Sequence, residues 1–174
     1  MKNVLIAVDM QNDFIDMSLG TPEAQQIIDR VVREIEDPAY DTVIATMDTH
    51  PENYMETFEG RHLPVEHCIK GTEGWQINPA VKKALDARGA VIIEKPTFGS
   101  EELCALMKSE KPECITLIGL CTDICVLSNA IMIRAALPDT VIRTVAPACA
   151  ATTPQKHEAA LAVMASCQID IIEE

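Results

Sequence analysis

Positive charge is scarce in this chain: 14 lysines and arginines stand against 27 aspartates and glutamates, a formal net charge of −13. Nucleic acids and anionic membranes are gripped through basic patches, so neither is expected as a partner. The excess of acid reads most simply as a well-solvated surface. Long hydrophobic runs are missing as well. No stretch approaches the roughly 18 apolar residues that cross a bilayer. The apolar run after Lys2 ends at Asp9 without a small-residue cleavage site, which predicts no secretory signal. Repeats, linkers, low-complexity tracts and Cys-x-x-Cys pairs are also lacking. The seven cysteines are odd in number and mostly lie inside apolar runs. A disulfide framework is therefore not expected, and a reducing cytoplasm suits the chain.

What is present is enough apolar sequence, 48% of 174 residues, to build a full core, so a single domain over residues 1–174 is expected. Short β-branched runs predict buried strands at 4–8, 42–47, 90–93, from 115 to an exit marked by Gly119, at 140–145 and at 168–172. Between them, Ile27, Ile28, Val31, Val32 and Ile35 recur at helical spacing over 23–36, and further helices are predicted at 78–88, 101–109, 122–137 and 154–166. Buried strands alternating with helices predict an α/β fold: a three-layer α/β/α domain on a six-stranded, mainly parallel sheet. One segment, 49–74, has no period yet holds three of the four histidines, and loops this long inside compact domains are usually functional.

In such sheets ligands bind beyond the C-terminal ends of the strands, where strand order reverses. That rule selects Asp9 after the first strand, Lys95 after the third and Cys125 after the fourth. Each has a plainer reading: a turn-capping acid, an exposed lysine, a buried small hydrophobe. Together they make a base, a cation and a nucleophile. With Thr122 as N-cap, Cys125 would sit in the first helical turn, where free N–H groups and the helix dipole favour thiolate. A second group, Asp48, His50, Glu59 and His67, combines imidazole with carboxylate, a ligand set suited to a divalent metal ion: zinc first, with manganese or iron as alternatives. Surface hydrogen-bonding histidines are the competing reading, and His62 and His157 are placed there.

A family resemblance is carried by Val8-Asp9-Met-Gln-Asn-Asp-Phe14, Met47-Asp-Thr-His-Pro51, Leu63-Pro-Val-Glu-His-Cys-Ile-Lys-Gly-Thr72, Glu94-Lys95, Gly119-Leu-Cys-Thr-Asp-Ile-Cys-Val126 and Ala146-Pro-Ala-Cys-Ala-Ala-Thr-Thr-Pro154. These segments run through nearly the whole chain. They resemble the cysteine hydrolases of the isochorismatase-like superfamily, and within it the nicotinamidases. The resemblance implies a triad of Asp9, Lys95 and Cys125. It also implies a cis peptide between Leu120 and Cys121, and an oxyanion hole from the N–H groups of Cys121 and Cys125. It further implies a small-molecule amide substrate, a metal that orients a pyridine ring, aromatic walls from Phe14, Trp75 or Phe98, and a homodimer or homotetramer.

The sequence departs from the family in one region. Many nicotinamidases carry Asp-Trp-His followed by another histidine; here Thr49 replaces the tryptophan and residues 53–56 hold no histidine. Glu59 is the better replacement ligand and Glu56 the fallback. The expected activity is hydrolysis of nicotinamide through a cysteine thioester. The alternatives are hydrolysis of another small amide or carbamoyl compound, as in N-carbamoylsarcosine amidases, and, more remotely, a thiol redox sensor.

Overall fold

The computed structural model describes residues 2–174. In chain order the elements are β1 (Asn3–Val8), α1 (Asn12–Ile15), α2 (Pro22–Gln26), α3 (Ile28–Glu36), β2 (Thr42–Asp48), α4 (Phe58–His62), α5 (Pro79–Ala87), β3 (Val91–Lys95), α6 (Glu101–Glu110), β4 (Cys114–Leu120), α7 (Leu127–Ala136), β5 (Val141–Ala150), α8 (Pro154–Ser166) and β6 (Asp170–Ile172). The six strands form one sheet in the order β3-β2-β1-β4-β5-β6, every pairing parallel. The chain builds outward from β1 to β3, then returns to place β4 on the other side of β1. Strand order therefore reverses between β1 and β4, and a crevice opens there at the C-terminal edge.

Side-chain alternation in β1 explains why both faces are covered. Leu5 and Ala7 point into a core shared with Val31 and Ile35 of α3 and Val81 and Leu85 of α5. Val4, Ile6 and Val8 point the other way, into a core with Leu103 and Met107 of α6, Ile133 of α7 and Met164 of α8. The central strands thus read as unbroken apolar runs, as parallel sheets require. The edge strands are not fully buried: Val91 and Ile92 of β3 are exposed, and β6 is only half-buried.

Three expectations need correction. The helix expected at 23–36 is divided by a slight unwinding at Ile27 (φ −83°, ψ −10°) into α2, which Thr21 caps, and α3. Gly119 is not the exit of β4 but an internal position at φ +112°, where a Cβ would lie 2.2 Å from the Val8 carbonyl oxygen. Only glycine permits β4 to run that close to β1. Finally, β5 does not stop at Val145. Its register against β4 jumps from Leu117↔Thr144 to Gly119↔Cys149, and the looped-out residues include Pro147. Proline has no N–H to give a ladder, so the strand bulges around it and rejoins.

Candidate active site

The end of each of the first three strands contributes a charged group to the crevice. Asp9 follows β1 at φ +48°, a left-handed conformation that aspartate tolerates better than most residues. Its Oδ1 accepts a 2.6 Å hydrogen bond from Thr46 Oγ1 of β2. Lys95 closes β3 and is buried despite lying on an edge strand. Its Nζ donates to the Thr97 carbonyl at 3.0 Å, and lies 2.7 Å from Asp9 Oδ2 and 3.5 Å from both Asp48 Oδ1 and Cys125 Sγ. The Lys95–Asp9 contact is an ion pair off the direction of a hydrogen bond, so Asp9 Oδ2 keeps acceptor capacity. Asp9, Lys95 and Cys125 thus meet at one place.

Cys125 arrives on a single π-turn, Thr122–Val126, entered through a cis peptide between Leu120 and Cys121. Thr122 does not cap it. Cys121 occupies the N-cap position without a side-chain cap bond, and the Thr122 hydroxyl instead pairs with His157 Nδ1 at 2.9 Å. His157 therefore braces the turn from α8 rather than standing on a merely polar face. Nor is the Cys125 thiol acidified. Burial pushes it well above the ordinary thiol range and the charge of Asp9 adds to this, while Lys95 opposes both. At a fully buried sulfur, desolvation of the charged form is the largest influence. The resting group is a neutral thiol that needs a base. Asp9 is suited to that task, because burial raises its carboxyl above the usual range against the pull of Lys95.

Beside this triad lie Asp48, His50, Glu59 and His67, whose nearest donor atoms all fall within 4.8 Å of one another. Asp48 Oδ2 is 3.0 Å from His50 Nε2 and 3.6 Å from His67 Nε2; Glu59 Oε1 is 3.8 and 3.7 Å from the same two nitrogens. His67 Nδ1 pairs with the Val65 carbonyl at 2.8 Å, which leaves Nε2 facing the cluster. The Cys68 carbonyl accepts from the His50 N–H, so the two histidine segments run side by side. Glu56, the fallback ligand, is turned away and accepts from Asn53 Nδ2.

This donor set fits a divalent cation. Two imidazoles and two carboxylates converge in a largely buried site, and Asp9 and Asp48 share one lysine while Glu59 faces the two histidines, a surplus of negative charge that a dication would offset. The same surplus bears on the carboxyl groups themselves. Burial, then Asp48, raises the carboxyl of Glu59. Burial disfavours charge on Asp48 too, but the hydrogen bond to His50, the nearby His67 imidazole and the charge of Lys95 prevail and hold it well below the usual carboxylate range.

The cavity between the triad and this cluster has a volume of about 410 Å³ and is largely apolar, with Phe14, Leu63, Phe98 and Ile124 on its walls and Lys156 at one side. Trp75, expected as an aromatic wall, is not on it. Its indole N–H donates to Thr49 Oγ1 at 2.9 Å, and Gln11 Nε2 binds its carbonyl, which seats it behind Asp48.

Two supporting residues were not singled out from sequence. The Gln11 side chain grips Asp48 on both sides: Oε1 accepts from the Asp48 N–H at 2.7 Å, and Nε2 donates to the Asp48 carbonyl at 2.8 Å. Asp13 Oδ2 accepts from the Cys68 N–H at 2.7 Å and Oδ1 from Ser18 Oγ at 2.9 Å, holding the loop that carries His67. Both lie in the segment 8–14, and polar side chains interleaved there with Met10 and Phe14 were the available signal.

Comparison with known proteins agrees with this architecture. The isochorismatase domain model matches residues 3–173. A nicotinamidase of Acinetobacter baylyi is 26% identical over 158 residues, covering 73% of this chain and 72% of that protein. The crystal structure of a nicotinamidase/pyrazinamidase from Bacillus subtilis superposes with a TM-score of 0.85 at 27% identity, over 99% of this chain and 100% of that one. The pyrazinamidase of Pyrococcus horikoshii, solved in complex with zinc, superposes with a TM-score of 0.80 at 26% identity over the whole of both chains. The chain belongs to the isochorismatase domain family.

Proposed function

We propose that this chain is an amidohydrolase that converts nicotinamide to nicotinate and ammonia through a thioester on Cys125. One observation carries the reading: a buried thiol and a carboxylate base both lie 3.5 Å or less from Lys95 Nζ, beside a two-histidine, two-carboxylate cluster. The nicotinamidase-like relatives, at modest identity, support amide hydrolysis.

Asp9 takes the thiol proton of Cys125, and the Lys95 ammonium stabilises the thiolate it lies against. The sulfur attacks the carboxamide carbon. The resulting oxyanion rests on the backbone N–H groups of Cys121 and Cys125. Asp9, now protonated, returns its proton to the amide nitrogen as the C–N bond breaks, and ammonia leaves. Asp9 then draws a proton from water, whose oxygen attacks the thioester; the C–S bond breaks, and Cys125 recovers the proton. Asp48, His50, Glu59 and His67 would hold a divalent ion, which would supply a Lewis acid to orient the ring. Phe14 and Phe98 flank the ring.

A second reading, hydrolysis of another small amide or carbamoyl compound, is favoured by the size of the cavity and by Lys156 on its wall, which leave room for a larger or anionic substrate. The deciding experiment is ammonia release from nicotinamide by purified protein, before and after chelation. Rapid release that chelator abolishes and zinc restores supports nicotinamide. No release from zinc-replete protein whose Cys125 still reacts with iodoacetamide sinks the nicotinamide assignment and transfers it to the second reading.

A further inference from the structure

We propose that Asn129 is a positioning residue that sets the approach of Lys95 to Cys125. The inference rests on Cys125 being the nucleophile and extends that reading to a residue outside the crevice. Asn129 lies in α7 and has no exposed surface. Asparagine is a poor choice inside a helix, because its side chain competes for backbone hydrogen bonds. Here its amide makes three bonds, none of them to solvent. Nδ2 donates to the carbonyl of Cys125 at 2.8 Å and to that of Phe98 at 3.1 Å, while Oδ1 accepts from the N–H of Ser100 at 2.9 Å.

The two segments joined by this amide matter for catalysis. Lys95 sits on β3 and Cys125 follows β4, with β2 and β1 between them in the sheet. Sheet hydrogen bonds alone therefore relate the two side chains only through two intervening strands. The loop 96–100 leaves Lys95 directly, and its Thr97 carbonyl accepts from Lys95 Nζ. Asn129 fastens this loop to the backbone of Cys125 by a second route outside the sheet. The loop is also pressed onto α7: a Cβ on Gly99 would lie 2.2 Å from Met132 Sδ, and Ser100 Oγ caps α6 by accepting from the Leu103 N–H. One amide thus connects the nucleophile's backbone, the loop that holds the lysine ammonium, and the Phe98 wall. Displacement of a reacting group by an ångström costs up to about a hundredfold in rate.

The test uses Asn129→Leu, which has similar volume and no hydrogen bonds, and Asn129→Asp, which keeps the acceptor for Ser100 and loses both donations. A third variant, Asn129→Ser, retains a hydroxyl able to bond back to the carbonyl four residues earlier, that of Cys125. For each, the folded fraction is measured by thermal melting, kcat and KM with nicotinamide, and the rate of Cys125 alkylation by iodoacetamide by mass spectrometry. Per folded molecule, Asn129→Asp and Asn129→Leu are expected to lose roughly 10- to 100-fold in kcat and in alkylation rate, with KM within about threefold of the parent, and Asn129→Ser to recover part of the loss. A kcat and alkylation rate equal to the parent in folded Asn129→Asp or Asn129→Ser overturns the proposal, whatever happens to the leucine variant. A change confined to KM also overturns it. If nicotinamide is not the substrate, the parent shows no turnover, and the alkylation rates still decide the role of Asn129.

Discussion

Cys125 and Cys121 belong to the same cavity wall, yet their surroundings assign them different work. Cys125 Sγ is 3.5 Å from Lys95 Nζ and its thiol feels the Asp9 carboxylate directly. The Cys121 thiol is pushed up to about 12 by burial first, with Asp123 its largest electrostatic influence. Its contribution is expected from the backbone, as an N–H donor that substitution of the side chain leaves in place. Replacing Cys125 by alanine should therefore lower turnover by at least about a thousandfold with the melting temperature little changed, as expected when a covalent nucleophile is lost. Cys121→Ser should keep most of the activity. Steady-state ammonia release from both variants checks this, and equal losses would mean that the sulfur of Cys121 takes part in the chemistry. Acidity was the feature of Cys125 that sequence could not supply. A first-turn position suggests thiolate, but whether the sulfur is dry is decided largely by β1 and β3, elements distant in sequence that pack against it.

At the scale of elements, strands were legible where β-branched residues run without interruption, as in β1, β2 and β4, and less so where the chain breaks its own rule. Pro147 hid the second half of β5, because a bulge rescues a strand only when a neighbouring strand is there to rejoin. Asp9 and Lys95 were legible as strand-end residues. Glu59 was legible only as one of two acids in an aperiodic segment; the short helix α4 turns Glu59 toward the two histidines, whereas Glu56 stays outside. That segment is held through Asp13, whose carboxylate takes the Cys68 N–H next to His67. Asp13→Ala would leave this buried donor unsatisfied, at a cost of about 1–3 kcal/mol, and should weaken zinc binding roughly 10- to 100-fold, as loss of a ligand-orienting partner does. Gly74→Ala tests the same device independently, since its Cβ would sit 2.1 Å from Asp13 Oδ2. Competition against a chromophoric chelator reads both. Unchanged zinc affinity in the two variants would show that the His67 loop holds its shape without Asp13.

For the whole molecule, the candidate metal-binding group of Asp48, His50, Glu59 and His67 draws on regions that the sheet does not join: the end of β2, the helix α4 and the loop carrying His67. A cation bound there acts only on the folded chain, so zinc should stabilise the protein by about 2.7 kcal/mol at a hundredfold excess over its Kd. In a chain of this size that corresponds to a melting temperature roughly 5–10 °C higher. The effect should depend on pH in a definite direction. Without metal, burial works against charge on His67, but the nearby Asp48 carboxylate, the Val65 carbonyl that takes its Nδ1 hydrogen and the charge of Glu59 raise its affinity for a proton above the ordinary histidine value. Protonated His67 therefore stabilises the metal-free fold below the ordinary histidine pKa, and this contribution is lost as pH rises through the raised folded value. Zinc requires the neutral imidazole, so its contribution moves in the opposite sense and grows over that range. Between about pH 5.5 and pH 8 the gap in melting temperature between zinc-loaded and chelated protein should widen steadily. Differential scanning fluorimetry at fixed free zinc measures it. A gap that stays constant across this range would place the ion on carboxylates alone, and no gap at all would remove the metal from the site.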